Sequence, residues 1–371
     1  MSVLFAVSLF FLIIYTVLII LYAAGWWRIK MTKPPKAVPA TFASVIIPVR
    51  NEEHNISRLL HLLEKQDVPS SAYQIIVVDD HSEDNTREKA EKKANLFPNL
   101  LLISLPNGQA GKKAALNMGF QKAKGEIIIT ADADITVEKE WLKTILHVFN
   151  AEKTDMLIGP VIMEYTNFFG QLQALDFFSL TASGAGAAGT GIPVMCSGAN
   201  LAFRKSALSE IITDDTRYAS GDDVFLLHAF KKAGKQIRFL KSTAATACTP
   251  QESSPKAFFR QRVRWVSKSK AYTDFDTVFA ALTVGLANLS LLCMFAVSLF
   301  NPAHWKDFLL LFFLKFSVDL LLLAPSLWYM KRQKLLFVYP VLQSFYFIYV
   351  FFTGLAGLIM PFTWKQRKFK K

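Results

Sequence analysis

The chain is poor in cysteine. Among its 371 residues there are three, Cys196, Cys248 and Cys293, and they lie far apart in the sequence. No CxxC pair and no Cys/His cluster is present, so the sequence predicts neither a zinc site nor a disulfide framework. Isolated thiols fit a reducing compartment, which indicates that the water-soluble part of the chain lies in the cytosol.

Acidic residues are also scarce relative to basic ones. The chain has 29 Asp and Glu against 42 Lys and Arg, a formal net charge of +13. Such an excess can indicate a nucleic-acid ligand, but here many of the cations flank apolar runs. They are Arg28, Lys30, Lys33, Lys36, Lys331, Arg332, Lys334, Lys365, Arg367, Lys368, Lys370 and Lys371. This placement is typical of cytoplasmic membrane faces, so we expect membrane lipids and no nucleic acid as partners.

Long apolar runs are abundant. Hydrophobic residues make up 52% of the chain, and the mean hydropathy of +0.28 indicates a soluble block combined with membrane-spanning helices. The run from Val3 to Trp27 is long enough to span a bilayer, and basic residues follow it. We therefore expect an uncleaved anchor with its N-terminus outside and residue 28 onward inside.

Three further apolar spans occupy about Val278–Phe300, Phe308–Tyr329 and Leu335–Phe362. The second contains Lys315 and Asp319, which we expect to be paired or to face the interior of the helix bundle. The last contains Pro340 and two glycines, so it is either one continuous span or a broken, re-entrant one, and these alternatives put the basic tail on opposite sides of the membrane.

The soluble block alternates strand-like and helix-like patterns. "ASVIIPV", "YQIIVVDD", "NLLLISL" and "GEIIITADAD" predict strands, and amphipathic or polar helices are predicted between them. This alternation predicts an α/β fold in which helices cover both faces of a mostly parallel sheet. The expected organisation is an anchor (1–27), a basic Pro-rich linker (28–41), the soluble domain (42–276), a membrane region (277–362) and a basic tail (363–371).

Two of the predicted strands end in pairs of carboxylates. Asp79 and Asp80 end the second strand, and Asp132 and Asp134 follow the fourth. Carboxyl ends of parallel strands border the ligand crevice of such sheets. Carboxylates one residue apart suit a hard divalent cation, Mg²⁺ or Mn²⁺, with a diphosphate supplying further oxygens. The alternative is ordinary turn chemistry, which favours Asp after a strand.

A third pair of acids, Asp222 and Asp223, begins a predicted helix in "GDDVFLLHAFKK". Helix capping accounts for acids at this position, and a general base is the functional alternative.

The segment "FFRQRVRWVSKSK" is basic and aromatic and precedes a span. Gln261, Arg264 and Trp265 share one helical face, which indicates either a juxtamembrane helix on anionic lipid or a site for a diphosphate and an acceptor.

Taken in order, "IIPVRNEE", "VVDDHSEDNT", "GKKAALNMG", "ADADI", "SGANLAFRK", "GDDVFL" and "QRVRW" resemble the family 2 inverting glycosyltransferases of the membrane-integrated type. Relatives of this type include cellulose, chitin, hyaluronan and poly-N-acetylglucosamine synthases and ceramide glucosyltransferases. The resemblance covers about Ala43 to Trp265 and implies a GT-A fold, a nucleotide-sugar donor, a divalent metal and a lipid or glycan acceptor.

The resemblance also implies site residues, position by position. Those of the nucleotide-sugar site are Pro48, Glu52, Asp79, Asp80, Lys112 and Asp132. Asp134 is implied as the metal ligand and Asp223 as the catalytic base. Those of the acceptor and diphosphate site are Gly198, Asn200, Asp222, Gln261, Arg264 and Trp265.

The sequence departs from the family pattern at two of these motifs. His81 stands where the family has glycine, so we expect the turn after the second strand to differ. Asp222 is one methylene shorter than the family's glutamate, which weakens inference about the acceptor.

The implied mechanism is a single displacement that inverts the anomeric centre. Transfer to a lipid or short glycan is favoured, with processive polysaccharide synthesis as the alternative. A non-catalytic nucleotide-binding scaffold is a further alternative, which the full set of acids argues against. We expect an integral protein of the plasma (inner) membrane with a cytosolic catalytic domain, and the sequence leaves partner subunits open.

The Gly- and Ala-rich run "ASGAGAAGTGIP" is expected to form a flexible mouth for the acceptor.

Overall fold

The structure is a computed structural model that describes residues 2–211 and 223–360 and the backbone of residues 362–364 and 367–369. Its α-helices are Val3–Arg28 (α1), Ile56–Glu64 (α2), Thr86–Ala94 (α3), Lys112–Lys122 (α4), Trp141–Ala151 (α5), Phe168–Thr190 (α6), Lys205–Ile211 (α7), Asp223–Lys232 (α8), Pro255–Lys268 (α9), Phe275–Phe300 (α10), Trp305–Tyr329 (α11) and Tyr339–Ile359 (α12). Its strands are Ala43–Val49 (β1), Tyr73–Asp79 (β2), Leu100–Ser104 (β3), Ile127–Thr130 (β4), Thr136–Val137 (β5), Met156–Ile158 (β6), Val161–Met163 (β7), Leu201–Arg204 (β8), Ile237–Phe239 (β9), Ala247–Thr249 (β10), Phe362–Trp364 (β11) and Arg367–Phe369 (β12).

The chain divides into two compact units. The sheet unit comprises Ile29–Glu164 and Met195–Pro250. The helical unit comprises Met1–Arg28, Tyr165–Val194 and Gln251–Lys371.

The sheet unit is built on a seven-stranded sheet in the order β3-β2-β1-β4-β8-β6-β9. Strands β3, β2, β1 and β4 are mutually parallel, whereas β8 runs antiparallel to both β4 and β6. The chain leaves β1 toward β2 on one side and later places β4 on the other, which makes the carboxyl end of β1 a topological switch point. The α/β fold predicted from the sequence is therefore confirmed, and the four predicted strands correspond to β1–β4.

Burial explains why these segments form strands. All seven residues of β2 and all four of β4 are buried, as expected for strands of a parallel sheet with both faces covered. Helix α2 covers its part of the core with Ile56, Leu59, Leu60 and Leu63, which recur at helical spacing.

The helical unit contains four segments that are long and apolar enough to cross a membrane. They are Val3–Arg28, Phe275–Phe300, Pro302–Tyr329 and Tyr339–Ile359. The last is one continuous α-helix, and Pro340 lies in its first turn, where a missing backbone N–H removes no intrahelical hydrogen bond. Of the two alternatives for the last span, the unbroken helix is the one observed.

Lys315 and Asp319 form the ion pair that the sequence predicted, at 2.8 Å. Tyr15 donates a 2.6 Å hydrogen bond to Asp319, and the side-chain amide of Gln343 donates another of 2.9 Å. These bonds join α1, α11 and α12, so the buried charges have partners on every one of these helices.

The expectation of a flexible acceptor mouth was wrong. The Gly- and Ala-rich run belongs to α6, a 23-residue helix that ends at Thr190 and packs on α1. The small residues allow the two backbones to approach closely, because a Cβ added at Gly186 would lie 2.5 Å from the carbonyl oxygen of Tyr22. One added at Gly25 would lie 2.1 Å from the carbonyl oxygen of Gly186. The density of small residues thus reflects helix packing.

We predict that Gly186→Ala lowers the unfolding temperature in detergent, since its methyl group would force α1 and α6 apart at a cost of about 1–3 kcal/mol. The matched control is Gly285→Ala, on α10, where an added Cβ has no neighbour within 4 Å. This change should leave the unfolding temperature unchanged or raise it slightly. Equal effects of the two substitutions would contradict the close helix crossing.

Candidate functional site

The carboxylates of Asp79 and Asp80 lie at the end of β2 and are 3% and 2% exposed. Asp80 accepts a 2.9 Å hydrogen bond from the backbone N–H of Gly111, the residue that precedes α4. Asp79 accepts a longer one, 3.3 Å, from the backbone N–H of Ser82. Asp80 therefore ties the end of β2 to the start of α4, and Asp79 shapes the turn that follows β2.

That turn keeps the left-handed conformation that a glycine would allow. His81 has a φ of 54°, so the expectation that histidine would change the turn was wrong. Asn51, after β1, has a φ of 51°. Arg50, 7% exposed, donates to the carbonyl oxygens of Asp80 (2.8 Å) and His81 (3.1 Å). These bonds help offset the strain of two left-handed non-glycine residues.

No sequence signal marked Arg50, because an arginine before "NEE" is typical of a solvated turn. Two other expected donor-site residues lie in the same region. Pro48 is in β1, paired with Val78 of β2. The backbone N–H of Glu52 donates to the Thr86 hydroxyl at 2.7 Å, and its carboxylate accepts from the amide of Asn55 at 2.8 Å.

Asp132 and Asp134 follow β4 within four residues of its end, as predicted. Lys112, the first residue of α4, forms an ion pair with Asp132, and both side chains are about one-third exposed. The backbone carbonyl of Asp134 accepts a 3.0 Å hydrogen bond from Arg58. The structure thus brings together three residues that the resemblance assigned to one site: Lys112, Asp132 and Asp134.

Burial raises the pKa of Asp134 to about 6, and the negative charges of Asp132 and Glu52 act in the same direction. The positive charge of Lys112 opposes this rise only in part. The rise therefore comes mainly from burial, and the two neighbouring acids add to it. Within the described part of the chain, no three His, Cys, Asp or Glu side chains are grouped so that they alone could hold a metal ion.

Asp223 is the first residue of α8, and backbone donors hold its carboxylate. The N–H of Gly198 donates to Oδ2 at 2.8 Å, and the N–H of Val224 donates to Oδ1 at 3.0 Å. The carbonyl of Gly198 in turn accepts a 2.8 Å hydrogen bond from the hydroxyl of Thr130, the last residue of β4. Asp223 is therefore linked through Gly198 to the strand end that carries Asp132 and Asp134. Asp222 lies outside the described residues.

The side chain of Asn200 is 1% exposed, and all of its polar atoms have partners. Its amide donates to the carbonyls of Pro160 and Ala245, both at 2.9 Å, and its oxygen accepts from the indole of Trp141 at 3.0 Å. In this arrangement Asn200 cannot contact an acceptor. It fixes the short turn Gly198–Asn200, and with it the N–H that binds Asp223.

The motif residues Gln261, Arg264 and Trp265 lie on α9 in the helical unit. Between them stands Arg262, which is buried and forms an ion pair with Asp176 of α6. Neither residue was among the site residues expected from the sequence. The one available signal was Asp176 itself, because an acid inside the apolar run "QALDFFSL" needs a partner.

Comparisons with known proteins agree with this arrangement. Residues 44–212 match the family model described as glycosyl transferase family 2. The chain is 33% identical over 138 residues to Glycosyltransferase AglE of Haloferax volcanii, covering 37% of this chain and 45% of that protein. It is 38% identical over 93 residues to an undecaprenyl-phosphate 4-deoxy-4-formamido-L-arabinose transferase of Proteus mirabilis, covering 25% and 28%. The alignments thus span less than half the length of these curated relatives.

Among solved structures, the chain resembles the mannosyltransferase PcManGT from Pyrobaculum calidifontis, in complex with GDP-Man and Mn²⁺. The TM-score is 0.59 at 19% identity, and the match covers 92% of this chain and 99% of that one. At this identity the likeness concerns the fold, and it confirms the GT-A fold that the motifs implied.

We predict that Asp134→Asn stabilises the protein at pH 7.5 in the absence of divalent cations. The folded-state pKa of about 6 lies above the ordinary value of 3.8, so ionising Asp134 opposes folding above pH 6. The substitution should raise the unfolding temperature by roughly 2–4 °C at pH 7.5, and this gain should disappear as the pH falls to about 4. Glu126→Gln, at an exposed position before β4, is the control and should change little. A gain that did not depend on pH would contradict the proposed cause.

Proposed function

We propose that this chain is a family 2 glycosyltransferase and that it transfers a sugar from a nucleotide-sugar donor to a hydroxyl of a lipid or glycan acceptor. The reaction is a single displacement. The acceptor oxygen attacks the anomeric carbon from the face opposite the diphosphate, so the anomeric configuration is inverted and the nucleoside diphosphate leaves.

The observation that carries this proposal is the setting of Asp223. Two backbone N–H groups fix its carboxylate, one of them from Gly198. The hydroxyl of Thr130 holds Gly198 in turn. A general base must be held in a defined direction to accept a proton during attack, and these bonds supply that rigidity. In the proposed mechanism Asp223 takes the proton of the acceptor hydroxyl.

The donor site is proposed at the ends of β1, β2 and β4. By resemblance, Pro48, Glu52, Asp79 and Asp80 border the nucleoside, and Lys112 and Asp132 lie beside the nucleotide sugar. The observed pair between Lys112 and Asp132 supports a shared site for these two residues. Arg50 acts indirectly, because it holds the backbone of the turn that carries Asp80 and His81.

The residues present fit a divalent cation, Mg²⁺ or Mn²⁺, at Asp134. Carboxylate oxygens are the donors that these ions prefer, and Asp132 and Glu52 place further negative charge near Asp134. No grouped set of three such side chains exists within the described ranges, so oxygens of the donor diphosphate would complete the coordination. A bound cation would neutralise the charge that develops on the departing diphosphate.

The resemblance to the family assigns further site residues, which belong to the helical unit. Arg264 is assigned to the diphosphate, which a guanidinium binds well through paired N–H groups. Gln261 and Trp265 are assigned to the diphosphate and acceptor, and the indole ring is suited to stack on a sugar face. Gly198 and Asn200 contribute by shaping the turn next to Asp223. Asp222 is assigned by resemblance to the acceptor and diphosphate site, next to the base Asp223.

We propose a lipid as the acceptor. The chain has four helices long and apolar enough to span a membrane, and one of its relatives is named as an undecaprenyl-phosphate transferase. Basic residues beside the spans favour the plasma (inner) membrane with the catalytic domain in the cytosol. Processive polysaccharide synthesis remains the alternative, and no contact described above favours it.

We predict that Asp223→Asn lowers the rate of sugar transfer by about 10²–10⁴-fold while nucleotide binding stays unchanged, because the amide cannot take the acceptor proton. Transfer would be measured with the detergent-solubilised protein, and binding by titration with the nucleoside diphosphate. Glu88→Gln is the matched control, an acid in the first turn of α3 in the same unit, and should retain full activity. Normal transfer by Asp223→Asn would refute the assignment of the base.

We further predict a donor and product pattern. Transfer should require Mg²⁺ or Mn²⁺ and should use UDP-sugars in preference to GDP-mannose, the ligand of the structurally similar mannosyltransferase. With a lipid that carries a free hydroxyl as acceptor, mass spectrometry should show the addition of one sugar. A ladder of products would identify a processive synthase, and preferred use of GDP-mannose would overturn the UDP assignment.

A further inference from the structure

Arg262 is a buried cation on a helix whose other basic residues reach solvent. Its side chain is 4% exposed, whereas its neighbour Arg260 is exposed. Burying a guanidinium is costly unless a charged partner compensates it. Asp176 of α6, 4% exposed, supplies that charge.

The ion pair between Arg262 and Asp176 has a defined geometry. Nε of Arg262 donates to Oδ2 of Asp176 at 2.8 Å, and Nη2 lies 2.8 Å from the same oxygen. The hydroxyl of Tyr349 on α12 also points at that oxygen, at 3.4 Å. The guanidinium is thus anchored by residues of two other helices of the helical unit.

The anchored guanidinium in turn contacts two motif side chains. Its carbon lies 4.1 Å from the ring centroid of Trp265 and 4.5 Å from that of Phe258, so it is held between two aromatic rings. Nη1 donates a 2.6 Å hydrogen bond to the side-chain oxygen of Gln261. The amide nitrogen of Gln261 donates at 2.6 Å to Glu252, which fixes the other end of that amide.

Only arginine makes all of these contacts together. A planar guanidinium can pair with a carboxylate, donate to an amide and stack between rings at once, whereas a lysine ammonium is a point charge without a flat face. Because Arg262 is almost completely buried, it can influence a ligand only through Gln261 and Trp265.

We propose that Arg262, anchored by Asp176, is a positioning residue that sets the orientation of Gln261 and Trp265 for acceptor binding. The inference rests on the proposed function, in which those two side chains bind the acceptor and diphosphate. It assigns no direct contact with substrate to Arg262 or Asp176.

The test measures kcat and KM for the acceptor in four variants: Trp265→Ala, Arg262→Lys, the combination of both, and Arg260→Lys as an exposed control on the same helix. We expect Trp265→Ala and Arg262→Lys each to lower kcat/KM for the acceptor about tenfold. The combined variant should lose less than the product of the two single losses, since part of the effect of Arg262 passes through that ring. Arg260→Lys should behave as the unmodified protein.

A second variant separates positioning from folding. The double change Asp176→Asn with Arg262→Gln removes both buried charges together, so neither is left unpaired, and such replacements often preserve stability. We expect an unfolding temperature close to that of the unmodified protein, with the same loss of kcat/KM for the acceptor. Full activity in this variant would overturn the inference.

The remaining outcomes are distinguishable. Loss of activity in Trp265→Ala with full activity in Arg262→Lys overturns the positioning role and leaves the proposed function intact. Fully multiplicative losses in the combined variant overturn the positioning of Trp265, because Arg262 would then act independently of that ring. Full activity in Trp265→Ala removes the motif from the proposed acceptor site, and the positioning role with it.

Discussion

The parallel pairing of β1 with β2 on one side and β4 on the other is the constraint on which the candidate site depends. Val49 is paired with Asp79, and Ile46 with Thr130, so the chain emerges from all three strands along one edge of the sheet. That edge carries Asp79, Asp80, Asp132 and Asp134. Like charges at one edge are unfavourable, and the structure opposes this with backbone donors at Asp79 and Asp80 and with Lys112 at Asp132.

The same edge shows how a rigid framework prepares a site for reaction. Asp223 comes from a helix far along the chain, yet the turn from Gly198 to Asn200 connects it to the end of β4. Asn200 makes this connection firm because its amide is fully used inside the protein. Asp134 is the exception, since burial raises the pKa of its carboxyl and the nearby Asp132 and Glu52 add to that rise.

The helical unit is held together by contacts of a different kind. The helix backbones approach closely at Gly25 and Gly186. The buried charged side chains among its described residues, Asp176, Arg262, Lys315 and Asp319, are paired. The pair Arg262–Asp176 joins α9 to α6, whereas Lys315 and Asp319 pair within α11. Tyrosines of α1 and α12 donate to the two acids. Polar contacts therefore specify which helices meet, in a unit whose apolar surfaces discriminate poorly between partners.

The sequence by itself determined the elements whose signals are local. Strands β1–β4 follow from apolar runs, the membrane-length helices from their composition, and the strand-end acids from their positions after those runs. The order of short motifs also indicated family 2, whose model matches residues 44–212. Tertiary structure alone decided which distant groups meet: Gly198 with Asp223, Arg50 with the turn at His81, and Arg262 with Asp176. It also decided that "ASGAGAAGT" is helical, although glycine-rich segments are flexible in isolation. The reason is that periodicity reports on neighbours a few residues apart, whereas a buried charge or a close helix crossing is stabilised by residues contributed from elsewhere in the chain.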